Sequence, residues 1–161
     1  MARNLADTLQ RLQDFHARLH EWKELHNYLN DITMVFDQFE REVERLDASG
    51  SPGDPRQLAR LWRPVAQKLA LLIDWAATVQ YIDEPLQQTD NGIQGPAWAT
   101  DLFGARSRVE ELLNPDDFDL LALYDATYDL SDTAQRHLFL ADKALRETAG
   151  ELYDLSRQIV G

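Results

Sequence analysis

Three side chains near the start of the chain have the spacing of a metal site. His16, His20 and Glu24 follow one another at intervals of four residues, so a helix places all three on one face. Two imidazoles one turn apart can chelate zinc, with the carboxylate as a third ligand. A closed site needs a further ligand, and the other histidines, His26 and His137, are isolated in the sequence. We therefore interpret His16 as part of an apolar seam, flanked by solvated groups, and expect no metal and no cofactor.

Two pairs of acidic residues suggest a different chemistry. Glu21 and Glu24, followed by Glu44 and Asp47, resemble the ExxE…ExxD pattern of all-α nucleotide pyrophosphohydrolases. That resemblance implies magnesium held between the carboxylates of two helices for attack on a phosphate. No helix breaker separates the two pairs here, so a continuous helix holds them about 30 Å apart. Chance explains the match better, because 27% of the chain is charged, and this enzyme class stays an alternative.

A third pattern involves Arg11 and His16, which match the loose Arg-x4–6-His motif of HEPN-type helical ribonucleases. The resemblance implies that the pair meets across a dimer and cleaves RNA without metal. Leu12 occupies the position where that family carries a polar residue. The acidic charge of the chain also disfavours an RNA substrate. A HEPN-like ribonuclease is therefore a second alternative, and our expectation is that the chain has no catalytic residues.

An acidic row lies further along the chain. Asp125, Asp129 and Asp132 recur at helical spacing, so they share one side of a helix. Such a row is usually a solvated face, and it can also bind a basic partner surface. We include these residues in a candidate partner-binding set. Three tyrosines on the same helix are interpreted as packing at the edge of the core: Tyr124, Tyr128 and Tyr153.

Composition narrows the function classes further. The 161 residues include 28 acidic and 16 basic residues, which give a net charge of −12, and they include no cysteine. Disulfides, thiolate metal sites and cysteine nucleophiles are thereby excluded, and the charge opposes binding to nucleic acid or to an anionic membrane. The first residues have no apolar signal core, and no apolar run approaches the roughly 20 residues of a membrane span. We expect a cytoplasmic protein.

Two long apolar seams predict the helices that position these residues. Alternating steps of three and four place one side chain per turn on a single stripe. The first seam starts at Trp22 and continues with Leu25, Leu29, Ile32, Phe36, Phe39, Val43 and Leu46. The second seam comprises Leu120, Tyr124, Thr127, Ser131, Ala134, Leu138, Ala141, Leu145, Thr148, Leu152, Leu155 and Ile159.

Helix one is predicted from about Asn4 to Ala48, and helix two begins at the N-cap Asp54. A long loop covers residues 83–96, and helix three follows it. Helix four is predicted to start at Asn114-Pro115 and to be broken near Ser131. The fold class is therefore all-α: an elongated antiparallel bundle with two long terminal helices and two shorter central ones, forming one domain over residues 1–161.

The seam of helix one changes register between Leu19 and Leu25. Before that shift in the sequence, Leu5, Leu9 and Leu12 point to a different side of the helix from the seam that follows it. One apolar set therefore lacks a partner within the chain, and we expect it to bind a protein partner or a second copy.

Two stretches of the sequence resemble a family of accessory modules. LHEWKELHNYLNDI (19–32) and ADKALRETAGELYDLSRQIVG (141–161) resemble the helical effector-associated regions of bacterial conflict-system proteins, found beside caspase-like peptidases, STAND-type ATPases or TPR repeats. The resemblance implies a non-catalytic sensor or adaptor segment of a longer multidomain protein. A further possibility is a small-ligand sensor, with a pocket formed where Pro64 kinks helix two beside Trp62 and Trp98.

Overall fold

The computed structural model describes residues 2–90 and 92–160 and has two long helices as its axis. Helix α1 spans Ala2–Ser49 and helix α4 spans Leu120–Val160, with 48 and 41 residues respectively. They run antiparallel, since Arg11 lies beside Asp154 at one end and Glu44 lies beside Tyr124 at the other. The predicted all-α bundle with two long terminal helices is confirmed.

Two shorter helices pack along part of this pair. Helix α2, Pro55–Ala76, lies against α1, where Trp62 contacts Phe39. Helix α3, Ala97–Leu112, lies against α4, where the side chain of Asp101 reaches His137. We call this region the four-helix body: α2, α3, residues 22–49 of α1 and residues 120–141 of α4.

Beyond the body, α1 and α4 continue without α2 and α3. This stalk comprises residues 2–21 and 142–160, a length of about 30 Å at 1.5 Å per residue. The stalk consists of these two helices, so neither α2 nor α3 covers the side of each helix that faces away from the other.

The body contains the core, and its seams are those predicted. Trp22, where the first seam starts, is half-buried, and the seven residues that follow it in the seam are buried. The residues of α2 at the same spacing are buried too. Burying each leucine, valine or phenylalanine contributes about 1.5–3 kcal/mol, so the seams supply most of the driving force for the fold. Helix α4 contributes a buried row that partly overlaps its predicted seam: Leu123, Ala126, Thr127, Leu130, Ala134, His137 and Ala141.

Several helix boundaries differ from the sequence prediction. Helix α1 begins at Ala2 rather than at Asn4, and α4 continues through Ser131 without a break. Asn114 caps only a 3-10 helix, Pro115–Asp117, while α4 is capped by Asp119, whose Oδ1 accepts the N–H of Leu121 at 3.1 Å. By contrast, the predicted N-cap of α2 is correct, because the Asp54 side chain accepts the N–H of Arg56.

The connection between α2 and α3 also contains structure that the sequence did not predict. A short antiparallel hairpin pairs β1, Gln87–Thr89, with β2, Gly92–Gln94. Leu86, just before it, is buried and donates its N–H to the carbonyl of Ala76. The hairpin is therefore anchored to the end of α2.

Candidate functional site

The predicted leucines of the stalk divide into two exposed residues and one packed residue. Leu5 is 52% exposed and Leu9 is 44% exposed, whereas Leu12 is half-buried. The stalk seam uses Phe15 rather than His16: Phe15 lines a groove with Leu155 of α4, and His16 is exposed. The predicted register through His16 is wrong, because α4 covers the neighbouring face of α1.

The acidic row lies on the opposite end of the molecule. Asp125, Asp129 and Asp132 are all exposed on α4 within the four-helix body. Leu9 at the stalk end is level with about residue 157 of α4, so roughly 40 Å of helix separates it from Asp129. The structure therefore does not bring the two halves of the predicted partner-binding set together.

A row of large apolar side chains points outward from α4. Leu121, Tyr128, Phe139 and Tyr153 are 63%, 65%, 68% and 63% exposed. At 100° per residue the four lie within about 40° of one line, on the side opposite the buried row. We call residues along this line the outward stripe. The prediction that Tyr128 and Tyr153 pack at the edge of the core is wrong, while Tyr124 is half-buried.

The charges of the outward stripe are segregated along the helix. Within about 40° of the line, the first half of α4 carries Asp125 and Asp132, and the second half carries Lys143, Arg146 and Arg157. Within one copy, Arg146 pairs with Asp142 at 3.0 Å and Lys143 pairs with Glu147 at 3.9 Å, so a contact with a second copy shares or replaces these exposed pairs. Phe139 lies between the two halves. Arg157 is placed 5.9 Å from the centre of the Tyr153 ring, a cation–π contact at the basic end.

The side chains that resembled catalytic or metal-binding motifs have structural partners. Glu21 accepts the N–H groups of Gln80, Tyr81 and Ile82 at 3.1, 2.8 and 3.1 Å, so it holds the segment after α2 against α1. The carboxylate of Glu24 accepts the indole N–H of Trp75.

The remaining motif residues do not converge either. His20 lies 2.6 Å from Glu24, on the same helix. Because α1 is continuous from Ala2 to Ser49, the pair Glu21 and Glu24 stays several turns from Glu44 and Asp47. Among residues 2–90 and 92–160, no group of three His, Asp or Glu side chains is arranged to hold a metal ion.

One carboxyl at the base of the stalk is electrostatically unusual. Asp83 is exposed at the surface, but partial burial of its carboxyl raises its pKa, and the nearby charge of Glu84 adds to the rise. The indole N–H of Trp98, 3.3 Å from Asp83 Oδ2, acts in the opposite direction by stabilising the anion. Trp98 in turn contacts Trp75, and Trp62 lies away from both, in the core with Phe36 and Phe39. Trp62 and Trp98 therefore lie in different parts of the fold and have different aromatic neighbours.

Comparison with protein-family models, curated proteins and solved structures finds no match to this chain. Nor does the described part of the chain contain a helix with the length and apolar character needed to cross a membrane. Among the described residues, the outward stripe of α4 places four exposed large apolar side chains on one helix face.

Sequence reasoning missed the stripe, although its spacing is visible. Leu121, Tyr128, Phe139 and Tyr153 follow one another at steps of 7, 11 and 14 residues, all close to whole numbers of helical turns. They form a second apolar line on the same helix as the buried seam. A helix with apolar residues on two opposite sides normally has a partner on each side.

Proposed function

We propose that this chain is a non-catalytic helical interaction module that associates with a second copy through the outward stripe of α4. The observation that supports it is the row of four large apolar side chains, each more than 60% exposed, on the side of α4 opposite the core. The four side chains are spread along about 48 Å of one helix face, where each is available for contact with a second copy.

The charge pattern of the stripe favours a second copy in antiparallel orientation. A two-fold axis at Phe139 pairs each position with the one equally far on the other side. Asp132 then faces Arg146 of the other copy, both seven residues from the axis. Tyr128 faces Gly150, whose missing side chain leaves room for a ring. A parallel arrangement would place the two acidic halves together, which is unfavourable.

The net charge of −12 opposes association at low salt. At physiological ionic strength the screening length is about 8 Å, so contacts across the stripe act while long-range repulsion is reduced. The association should therefore be measured at physiological salt.

The decisive experiment exchanges the charges of one pair. Asp132→Arg and Arg146→Asp are each expected to shift the chain toward monomer in sedimentation experiments over a concentration series. The double variant Asp132→Arg/Arg146→Asp is expected to restore association, because the pair is reversed on both sides of the axis. Asp74→Arg on the exposed face of α2 is the matched control for charge. A double variant as monomeric as the single variants would refute the antiparallel pairing.

Two further measurements separate the alternatives. The chain has no cysteine, so Phe139→Cys should form a disulfide-linked dimer, and Asp74→Cys should not. Leu5→Glu with Leu9→Glu tests the stalk leucines, avoiding Leu12 because it is half-buried. Association that is lost in the leucine variant and kept in the single charge variants would move the interface to the stalk.

The role as an adaptor segment of a bacterial conflict system is a part of the proposal that rests on the sequence resemblance alone.

A further inference from the structure

A cavity lies where the stalk joins the four-helix body. Its volume is about 210 Å³, and its lining includes Trp22, Leu25, Asp83, Trp98, His137 and Leu140. All four parts of the fold contribute to it: the two long helices, the start of α3 and the segment after α2. It is therefore a property of the folded chain and is separate from the outward stripe.

The walls of the cavity are apolar and aromatic. Trp98 is 6% exposed and Trp22 is half-buried, and Leu25 is fully packed behind them. The faces of tryptophan rings attract cations more strongly than those of other aromatic residues. Two indoles in one cavity thus provide an environment that favours a positively charged, weakly hydrated group.

Asp83 is the acidic side chain in the lining; the residue is exposed at the surface, and within the described part of the chain its carboxylate has no cationic partner. Among the described residues, Asp83 has no salt bridge, and its hydrogen-bond donor is the indole N–H of Trp98. The neighbouring Asp101 is already engaged by Arg136 at 3.3 Å and by His137 at 3.1 Å. Burial and the adjacent Glu84 disfavour the charged form of Asp83, so a bound cation would stabilise that form.

From these contacts we infer that the cavity binds a small organic ammonium group, held between the Trp22 and Trp98 indoles and paired with the Asp83 carboxylate. Pockets for drug-sized ligands are typically about 300–1,000 Å³, so this one accommodates only a compact ammonium ion or the end of a lysine side chain. The two sources share the same chemistry, and the experiment below distinguishes them. The inference does not depend on the proposed self-association.

The test follows the indole N–H signals of the full chain by NMR while choline is added. We expect choline to bind in the millimolar range and to shift the Trp22 and Trp98 signals, while sodium chloride at equal ionic strength does not. The neutral isostere 3,3-dimethylbutan-1-ol has the same shape without the charge and should bind about tenfold more weakly. Equal binding of choline and of the neutral isostere would refute a cation site. The absence of any shift with choline and with a second ammonium probe, n-butylammonium, would refute it as well.

A substitution and a second probe complete the design. Asp83→Asn keeps an acceptor for Trp98 and removes the charge, so it should weaken choline binding about tenfold. Asp116→Asn, on an exposed 3-10 helix, should leave it unchanged. Unaltered binding by the Asp83 variant would overturn the assignment. Tighter binding of n-butylammonium than of choline would identify a lysine side chain as the natural source, and the reverse order would identify a free quaternary ammonium.

Discussion

Phe39 provides the sharpest test of how the body is packed. Its side chain is 0% exposed, and its ring centre lies 5.9 Å from that of Phe36 and 5.2 Å from that of Trp62. Phenylalanine to alanine changes in cores cost about 3–5 kcal/mol. Each aromatic pair contributes about 0.5–1.5 kcal/mol beyond burial. Because Phe39 makes two such contacts, we expect Phe39→Ala to lower the free energy of unfolding by about 4–5 kcal/mol, at the upper end of that range.

The assay is urea denaturation followed by circular dichroism. A loss of this size is a large part of the 5–15 kcal/mol that stabilises a typical domain, so the variant should be measured in the cold and at low denaturant. Gln38→Ala, at the exposed position directly before Phe39, is the matched control and should change the free energy of unfolding by less than about 0.5 kcal/mol. Similar midpoints for the two variants would show that α1 presents a different face to α2, and the interpretation of the first seam would fail.

Two other predictions concern the base of the stalk. Glu21→Ala should increase the hydrogen-exchange rates of amides 80–82, because their acceptor is removed; unchanged rates would mean that Glu21 does not hold this segment. Asp83→Asn should raise the melting temperature at pH 7. Burial raises the pKa of Asp83, so the folded state binds its proton more tightly and loses stability as pH rises through the interval above the ordinary value of about 3.9. In melts over a pH series, the difference in melting temperature between the variant and the original chain should vanish below that pH. An Asp83→Asn variant that is less stable than the original chain at pH 7 would contradict the expected direction of the effect.

The sequence predicted the body well because its seams are enclosed. Leu29, Phe36 and Val43 are buried in the part of α1 that packs against both α2 and α4, so apolar spacing alone identifies their burial. The stalk offers α1 a single neighbour, and the choice between Phe15 and His16 as the packed residue depends on which face α4 covers. Local spacing carries no information about that choice.

The outward stripe and the junction cavity were harder to predict for related reasons. The second apolar line on α4 consists of the same residue types, at the same helical spacing, as a core seam. Only the positions of the other helices show that it is exposed. The junction cavity combines side chains up to 119 positions apart, from Trp22 to Ala141. The hairpin was missed because its strands have three residues each and contain glutamine and threonine rather than a run of apolar residues.

The acidic residues singled out from the sequence and the residues of the outward stripe differ in their contacts within the chain. Glu21 and Glu24, which resembled a metal-binding pair, hold a backbone segment and an indole in place. Phe139, by contrast, is 68% exposed and contributes little to the stability of a single copy. In a two-fold interface every stripe residue occurs twice, so one substitution removes two contacts. Charge changes at Asp132 and Arg146 should therefore affect association more than they affect folding. This difference distinguishes residues of an interface from residues that are merely exposed.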